Sequence, residues 1–236
     1  MNHRHPARAV IGTLLALALA VLASACNTLQ PARMALPDGL AARSEVIELP
    51  RLSGGARGRT QVAGQALTFE RTATRLSLFD EGLLHQRSAL RYALDGDATT
   101  RGEANCSQRR RSLSFGVIEW TAKPLALFCD FAPSGVRLDL EEHRPAIGTQ
   151  KIARRGLLRV GDRRLSVRSV HQAEGALFET AQPLGYVIDD LGQPIAAVDI
   201  AGRAPRLLLS TTDPALRQAS LQTLLALALI WDPTEG

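Results

Sequence analysis

The most constraining feature of this chain lies at its C-terminal end. From Ala215 to Trp231 there is no proline and no glycine. Alanine, leucine and glutamine dominate, which favours a helix. Asp213 is suited to cap its N-terminus, and Pro214 to occupy its first position. The first half carries Arg217, Gln218, Ser220 and Gln222 and reads as amphipathic. The second half, Leu224–Trp231 (LLALALIW), is apolar on every side. Such a helix must be surrounded by protein or by lipid. Its continuous apolar part of eight residues rises about 12 Å, far short of a bilayer. Asp232-Pro233 stops it. The expectation is one buried helix over about 214–231, clasped by the rest of the chain.

What would clasp it is visible upstream. From about residue 45 the apolar residues recur with period two. Leu67 and Phe69, Leu76 and Leu78, and Leu90, Tyr92 and Leu94 alternate with polar neighbours. So do Leu113, Phe115 and Val117; Leu125, Leu127, Cys129 and Phe131; and Val136, Leu138 and Leu140. Alternation of this kind marks strands with one buried and one wet face. Turn residues separate the runs: Asp80-Glu81-Gly82, Asp95-Gly96-Asp97, Pro133-Ser134-Gly135, Gly161-Asp162 and Leu191–Pro194. Hairpins are expected at 157–170 and 185–200. The fold class is mainly β, an antiparallel barrel or sandwich of hairpins with the apolar helix buried in it. Residues 45–236 form a single domain on this reading.

The run GYVIDDLGQPIAAVDI followed by LQTLLALALIW resembles the tubby and LURP-one-like fold. In that family a closed antiparallel barrel wraps a central hydrophobic helix. The resemblance covers roughly 60–232 and is one of pattern. The family's phosphoinositide-binding cations have no matching positions here, and its members are mostly intracellular.

The other end of the chain points outside the cytoplasm. Arg4 and Arg8 precede the uncharged run Val10–Leu22, and Ala23-Ser24-Ala25-Cys26 follows. A charged start, an apolar stretch and small residues before a cut make an export signal over 1–25. Leu22-Ala23-Ser24-Ala25-Cys26 resembles the lipobox of bacterial lipoproteins, departing from it at Ala23, where leucine is usual. The resemblance implies diacylation of the Cys26 thiol, cleavage before it and acylation of the new amino group. More than one acyl chain is needed for stable anchoring. Cleavage by an ordinary signal peptidase, leaving a soluble periplasmic product, and an uncleaved anchor are the alternatives. Residues 26–44 show no apolar period and read as a tether. The resemblance to enterobacterial lipoproteins, in which aspartate after the cysteine favours the inner membrane, implies that Asn27 favours the periplasmic face of the outer membrane.

Without residues 1–25 the chain holds 26 Lys+Arg against 23 Asp+Glu, so a nucleic-acid partner is not expected. Lys123 and Lys151 are the only lysines. Arg109-Arg110-Arg111 is the sharpest basic cluster. It is expected in a loop, as a candidate contact for an anionic surface such as lipid headgroups or lipopolysaccharide phosphates. Cys106 and Cys129 make a natural disulfide pair in an oxidising compartment, the alternative being two buried thiols. No catalytic, cofactor-binding or metal-binding residues are assigned. Glu141-Glu142-His143 alternates faces on a strand, Asp189-Asp190 belongs to a turn, and His85, His143 and His171 are far apart in sequence. The sequence therefore leads to a non-enzymatic envelope lipoprotein acting as a binding or structural module. Envelope protein, lipid or lipopolysaccharide are its candidate partners. A carrier of a hydrophobic ligand is the second reading and a hydrolase the third.

Overall fold

The computed structural model describes residues 32–50, 55–78, 83–96, 101–115, 118–143, 151–202 and 204–230. The leader 1–25, Cys26 and Trp231 lie outside the described residues, as do the side chains at 77, 78, 83, 113–115 and 118–122. One antiparallel sheet contains β1 (Glu45–Glu48), β2 (Arg57–Val62), β3 (Gln65–Leu78), β4 (Leu83–Asp95), β5 (Gly102–Phe115) and β6 (Ile118–Ala132). It continues with β7 (Val136–His143), β8 (Ala153–Val160), β9 (Arg163–Val170), β10 (Gly185–Asp190), β11 (Gln193–Asp199) and β12 (Arg206–Leu209). From β2 to β12 each strand pairs with its neighbours in sequence, and β1 crosses over to pair with β12. The result is a nearly closed barrel with β1 and β2 at its two edges. Helix α1 (Leu40–Arg43) precedes β1, and α2 (Pro214–Leu229) follows β12.

The strands form where period two predicts them. Along β7, Val136, Leu138 and Leu140 are buried while Arg137, Glu141 and His143 are exposed. Both expected hairpins are present. Gly161 at φ 58° turns β8 into β9, and Leu191 and Gly192 at φ 50° and 86° turn β10 into β11. A two-residue turn with positive φ at both positions matches the right-handed twist of the flanking strands. Cys106 and Cys129 stand directly opposite each other on β5 and β6 and form a disulfide facing the interior.

Helix α2 is the core. It packs against β4, β5, β8, β10, β11 and β12. One helix reaches strands spread so widely through the sheet only if the sheet wraps around it. Leu224, Leu225, Ala226 and Leu229 are fully buried. Asp213 caps the N-terminus, its Oδ1 accepting from the amides of Ala215 at 3.0 Å and Leu216 at 3.2 Å. At the other end Arg71 Nη1 donates to the Leu229 carbonyl at 3.0 Å, placing a cation at the negative end of the helix dipole.

Two expectations need correction. The amphipathic part is shorter than the first half of the helix: Arg217 and Gln218 are partly exposed, but Ser220, Gln222 and Thr223 are as buried as the leucines. A barrel that encloses the helix from Ala219 onward leaves no solvent face for them. Gln222 is accommodated by Tyr92, whose hydroxyl donates to its carbonyl at 2.6 Å, and by Ser134, whose hydroxyl donates to its Oε1 at 3.3 Å. Burial pushes the Tyr92 phenol well above its ordinary range. Residues 32–44, expected within a tether, also belong to the folded unit that begins at Ala32. Met34 and Leu40 are buried with Val187, Ala197 and Leu208 in a second small core on the outer face of β10–β12. Those strands are therefore covered on both faces, and β10 reads as a continuous buried run instead of alternating.

Candidate functional site: a basic ladder on the barrel wall

The antiparallel order sorts residues between the two ends of the barrel. Strands β3, β5, β7, β9 and β11 run toward the end where α2 terminates, here the exit end. The exit-end halves of β4, β5 and β6 hold the candidate site. On the outer face Arg87 of β4 is paired directly with Arg109 of β5. One step further, His85 is opposite Arg111, and Arg111 is opposite Lys123 of β6. Arg87, Arg109, Arg111 and Lys123 are all exposed. Among the described residues none of the four has an acidic partner. Like charges directly across a ladder are destabilising, so local folding does not explain the arrangement.

Elsewhere on the wall several cations meet acids, although Arg155 faces Arg168 and Arg159 faces Arg164 across β8 and β9. Nearer the other end, Arg57, Glu70, Arg91, Asn105, Asp130 and Arg137 follow one another across β2–β7 in register. Arg57 binds Glu70 at 2.6 Å, and Arg137 binds Asp130 at 3.1 Å. This row lines an open hollow of about 900 Å³. Around the barrel Arg159 meets Asp139 at 2.5 Å, Arg168 meets Asp189 at 3.0 Å, and Arg206 meets Asp199 at 2.6 Å. Each β8–β9 pair has one member that holds a carboxylate, Arg159 with Asp139 and Arg168 with Asp189, whereas among the described residues neither pair on β4–β6 does.

The arginine triplet is mid-strand, not in a loop, which corrects its expected placement. Alternation sends Arg109 and Arg111 outward and Arg110 inward, where it is 7% exposed and 3.9 Å from Glu142. A register shift between Arg109 and Arg111 absorbs the crowding. Arg110 is thus withdrawn from any surface contact. Sequence reasoning missed Arg87 and Lys123, because their membership depends on strand register across two hairpins.

Inside the barrel at the same level, the inward positions turn polar. Arg71, Gln86, Ser88, Gln108, Arg110, Ser112, Glu142 and Arg154 are all buried. They surround the point where α2 stops, so the strands have no apolar plug to face. Burial lowers the Arg71 pKa. Arg154 Nη1 donates to the Tyr186 hydroxyl at 2.8 Å. A hollow of about 70 Å³ between Gln108, Arg154, Tyr186 and Leu227 has room for a couple of waters.

The remaining candidates are dispersed. Glu141 and His143 face outward and Glu142 inward, as alternation requires. Asp189 and Asp190 end β10 instead of forming the turn, and bind Arg168 and Arg163. His171 is 1% exposed. Its Nδ1 donates to the Thr180 carbonyl at 2.9 Å, and its Nε2 accepts from the Ser169 hydroxyl at 2.9 Å. Burial lowers its pKa, aided by the charges of Lys151 and Arg154 and opposed by the Thr180 carbonyl and Glu179. This Ser–His contact lines neither hollow. Among the described residues no group of three potential metal ligands converges. What the wall can do is bind an anion through several exposed forks at once. No family model matches the chain, and no curated protein or solved structure matches it.

Proposed function

We propose that this chain is a non-enzymatic lipoprotein of the bacterial cell envelope, anchored through Cys26, whose barrel binds a phosphate-bearing envelope lipid through Arg87, Arg109, Arg111 and Lys123. The observation that carries the binding role is the ladder itself, two like-charged pairs of exposed cations on adjacent rungs with no acidic partner among the described residues. Guanidinium forks suit phosphate, and a polybasic surface near an anionic membrane gains about 1 kcal/mol per charge. The plan of a helix wrapped by antiparallel strands supports the proposed likeness to the tubby and LURP-one-like architecture. No residue role is carried over from it. The carrier reading is disfavoured because α2 occupies the place where a hydrophobic ligand would lie.

Two experiments test the proposal. Cys26→Ser should move the protein from the membrane to the soluble periplasmic fraction, and retention in the membrane would refute the anchor. For the ladder, the mature Cys26→Ser chain is sedimented with phosphatidylglycerol vesicles. Changing Arg87, Arg109, Arg111 and Lys123 to glutamine should weaken binding by about a hundredfold or more. Equal binding of both proteins, or equal binding to phosphatidylcholine vesicles, would refute the ladder's role.

A further inference from the structure

The connection between β9 and β10, residues 171–184, presents the most exposed pair of adjacent large apolar side chains among the described residues. Leu177 is 91% and Phe178 83% exposed. The loop that holds them is braced. The Thr180 amide donates to the His171 carbonyl at 2.8 Å, and Lys151 binds Glu179 at 2.6 Å. Gln172 and Glu179 form a β-bridge across its base. The two side chains are thus held outward by an ordered backbone, so the entropy of presenting them is already spent.

The same loop is fastened to the start of the folded body. Met34 bridges Ala173, the Glu174 amide donates to the Arg33 carbonyl at 2.9 Å, and the Ala35 amide donates to the Gln172 carbonyl at 2.8 Å. Arg33 is seven Cα steps from Cys26, a reach of at most about 25 Å fully extended. By strand direction this loop is at the exit end, the end that carries Arg87, Arg109, Arg111 and Lys123. Leu76, 56% exposed and paired with His85 beside Arg111, adds an outward apolar side chain at that end. The first residues of the folded unit, the cations without an acidic partner among the described residues and the exposed apolar tip all share one end of the barrel.

We propose that Leu177 and Phe178 insert into the lipid bilayer, fixing the barrel with its exit end against the membrane. The occupant of this surface is the headgroup–acyl boundary, where an apolar tip gains by leaving water and a basic rim gains by meeting phosphate. The inference rests on the lipoprotein reading for the membrane's nearness, and on the loop's own geometry for the contact.

The test uses the lipidated full chain in vesicles of phosphatidylethanolamine and phosphatidylglycerol, with and without brominated acyl chains. Wild-type protein, with Trp120 and Trp231 alone, sets the baseline. Phe178→Trp should add emission that moves to shorter wavelength and is lost on brominated lipid. Leu191→Trp, at a 95% exposed position on the opposite end, should add emission that does neither. In the mature Cys26→Ser chain, Leu177→Ser with Phe178→Ser should lower partitioning onto the same vesicles about tenfold. Unquenched emission at position 178, or equal quenching at 191, overturns the insertion. Mass spectrometry of the same samples separates the two readings. Acylated Cys26 with unquenched Phe178→Trp sinks the loop contact and leaves the anchor. Quenched Phe178→Trp without acyl mass sinks the anchor and leaves the contact.

Discussion

If the barrel is held open by its helix, truncating one central leucine should be unusually costly. Leu225 is fully buried in α2, and the strands around it are hydrogen-bonded to neighbours on both sides. They cannot move inward without breaking ladder bonds, so the space vacated by Leu225→Ala stays nearly empty. Loss of three carbons from an apolar site costs about 2.4 kcal/mol in transfer free energy at ~0.8 kcal/mol per group. A residual void of roughly 80 Å³ adds about 2 kcal/mol at ~24 cal/mol per Å³. The expected destabilisation is therefore about 4 kcal/mol. Urea unfolding followed by circular dichroism measures it, with the slope compared between variants to confirm that the same surface is exposed. Leu177→Ala removes the same atoms from a side chain 91% exposed and should change stability by less than about 0.5 kcal/mol. A cost at Leu225 below about 1 kcal/mol would mean that the strands do not grip the helix, and the argument from a filled lumen would fall with it.

Three further outcomes follow from particular contacts. The Cys106–Cys129 bridge closes a separation of 23 residues, so its reduction should cost about 3 kcal/mol, and mass spectrometry without reductant should show neither thiol alkylatable. Burial holds the folded-state pKa of His171 below its unfolded value of 6.5, so the unfolded chain binds the extra proton first. Stability should be full above pH 6.5 and fall as pH drops through the interval below it. His171→Asn should flatten the urea midpoint across that interval, and an unchanged slope would refute the assignment. A Cβ on Gly156 would be 1.9 Å from the Asp139 carbonyl oxygen and 2.7 Å from Leu140 Cα, both backbone atoms of the neighbouring strand. Gly156→Ala must therefore separate β7 from β8 and should cost about 1–3 kcal/mol in the same unfolding assay.

The fold was legible where one physical rule governs a segment, and illegible where two compete. Period two found β7 because one of its faces meets the core and the other meets water. The same rule misreads β10, where Met34 and Leu40 cover the outer face and every residue from Gly185 to Asp189 is buried. It also misplaces Leu76. The inward parity of β3 runs through Leu67, Phe69 and Arg71, which leaves Leu76 on the outside with half its surface in water. The apolar tail predicted an enclosed helix, since eight residues apolar on every side need a surround and are too few to span a bilayer. It did not predict that Ser220 and Gln222 would be enclosed too, because a helix alone carries no record of how far its container extends. The candidate site shows the same division. Arg109 and Arg111 stand out in the sequence by adjacency. Arg87 and Lys123 join them only through pairings of β4 with β5 and β5 with β6, and Arg110 leaves them because a strand turns its middle residue away. A run of three arginines thus overstates its own contribution by one residue and conceals two more. The charge that matters is a property of the sheet's register, which is why a net excess of only three positive charges over residues 26–236 is compatible with a concentrated cationic surface.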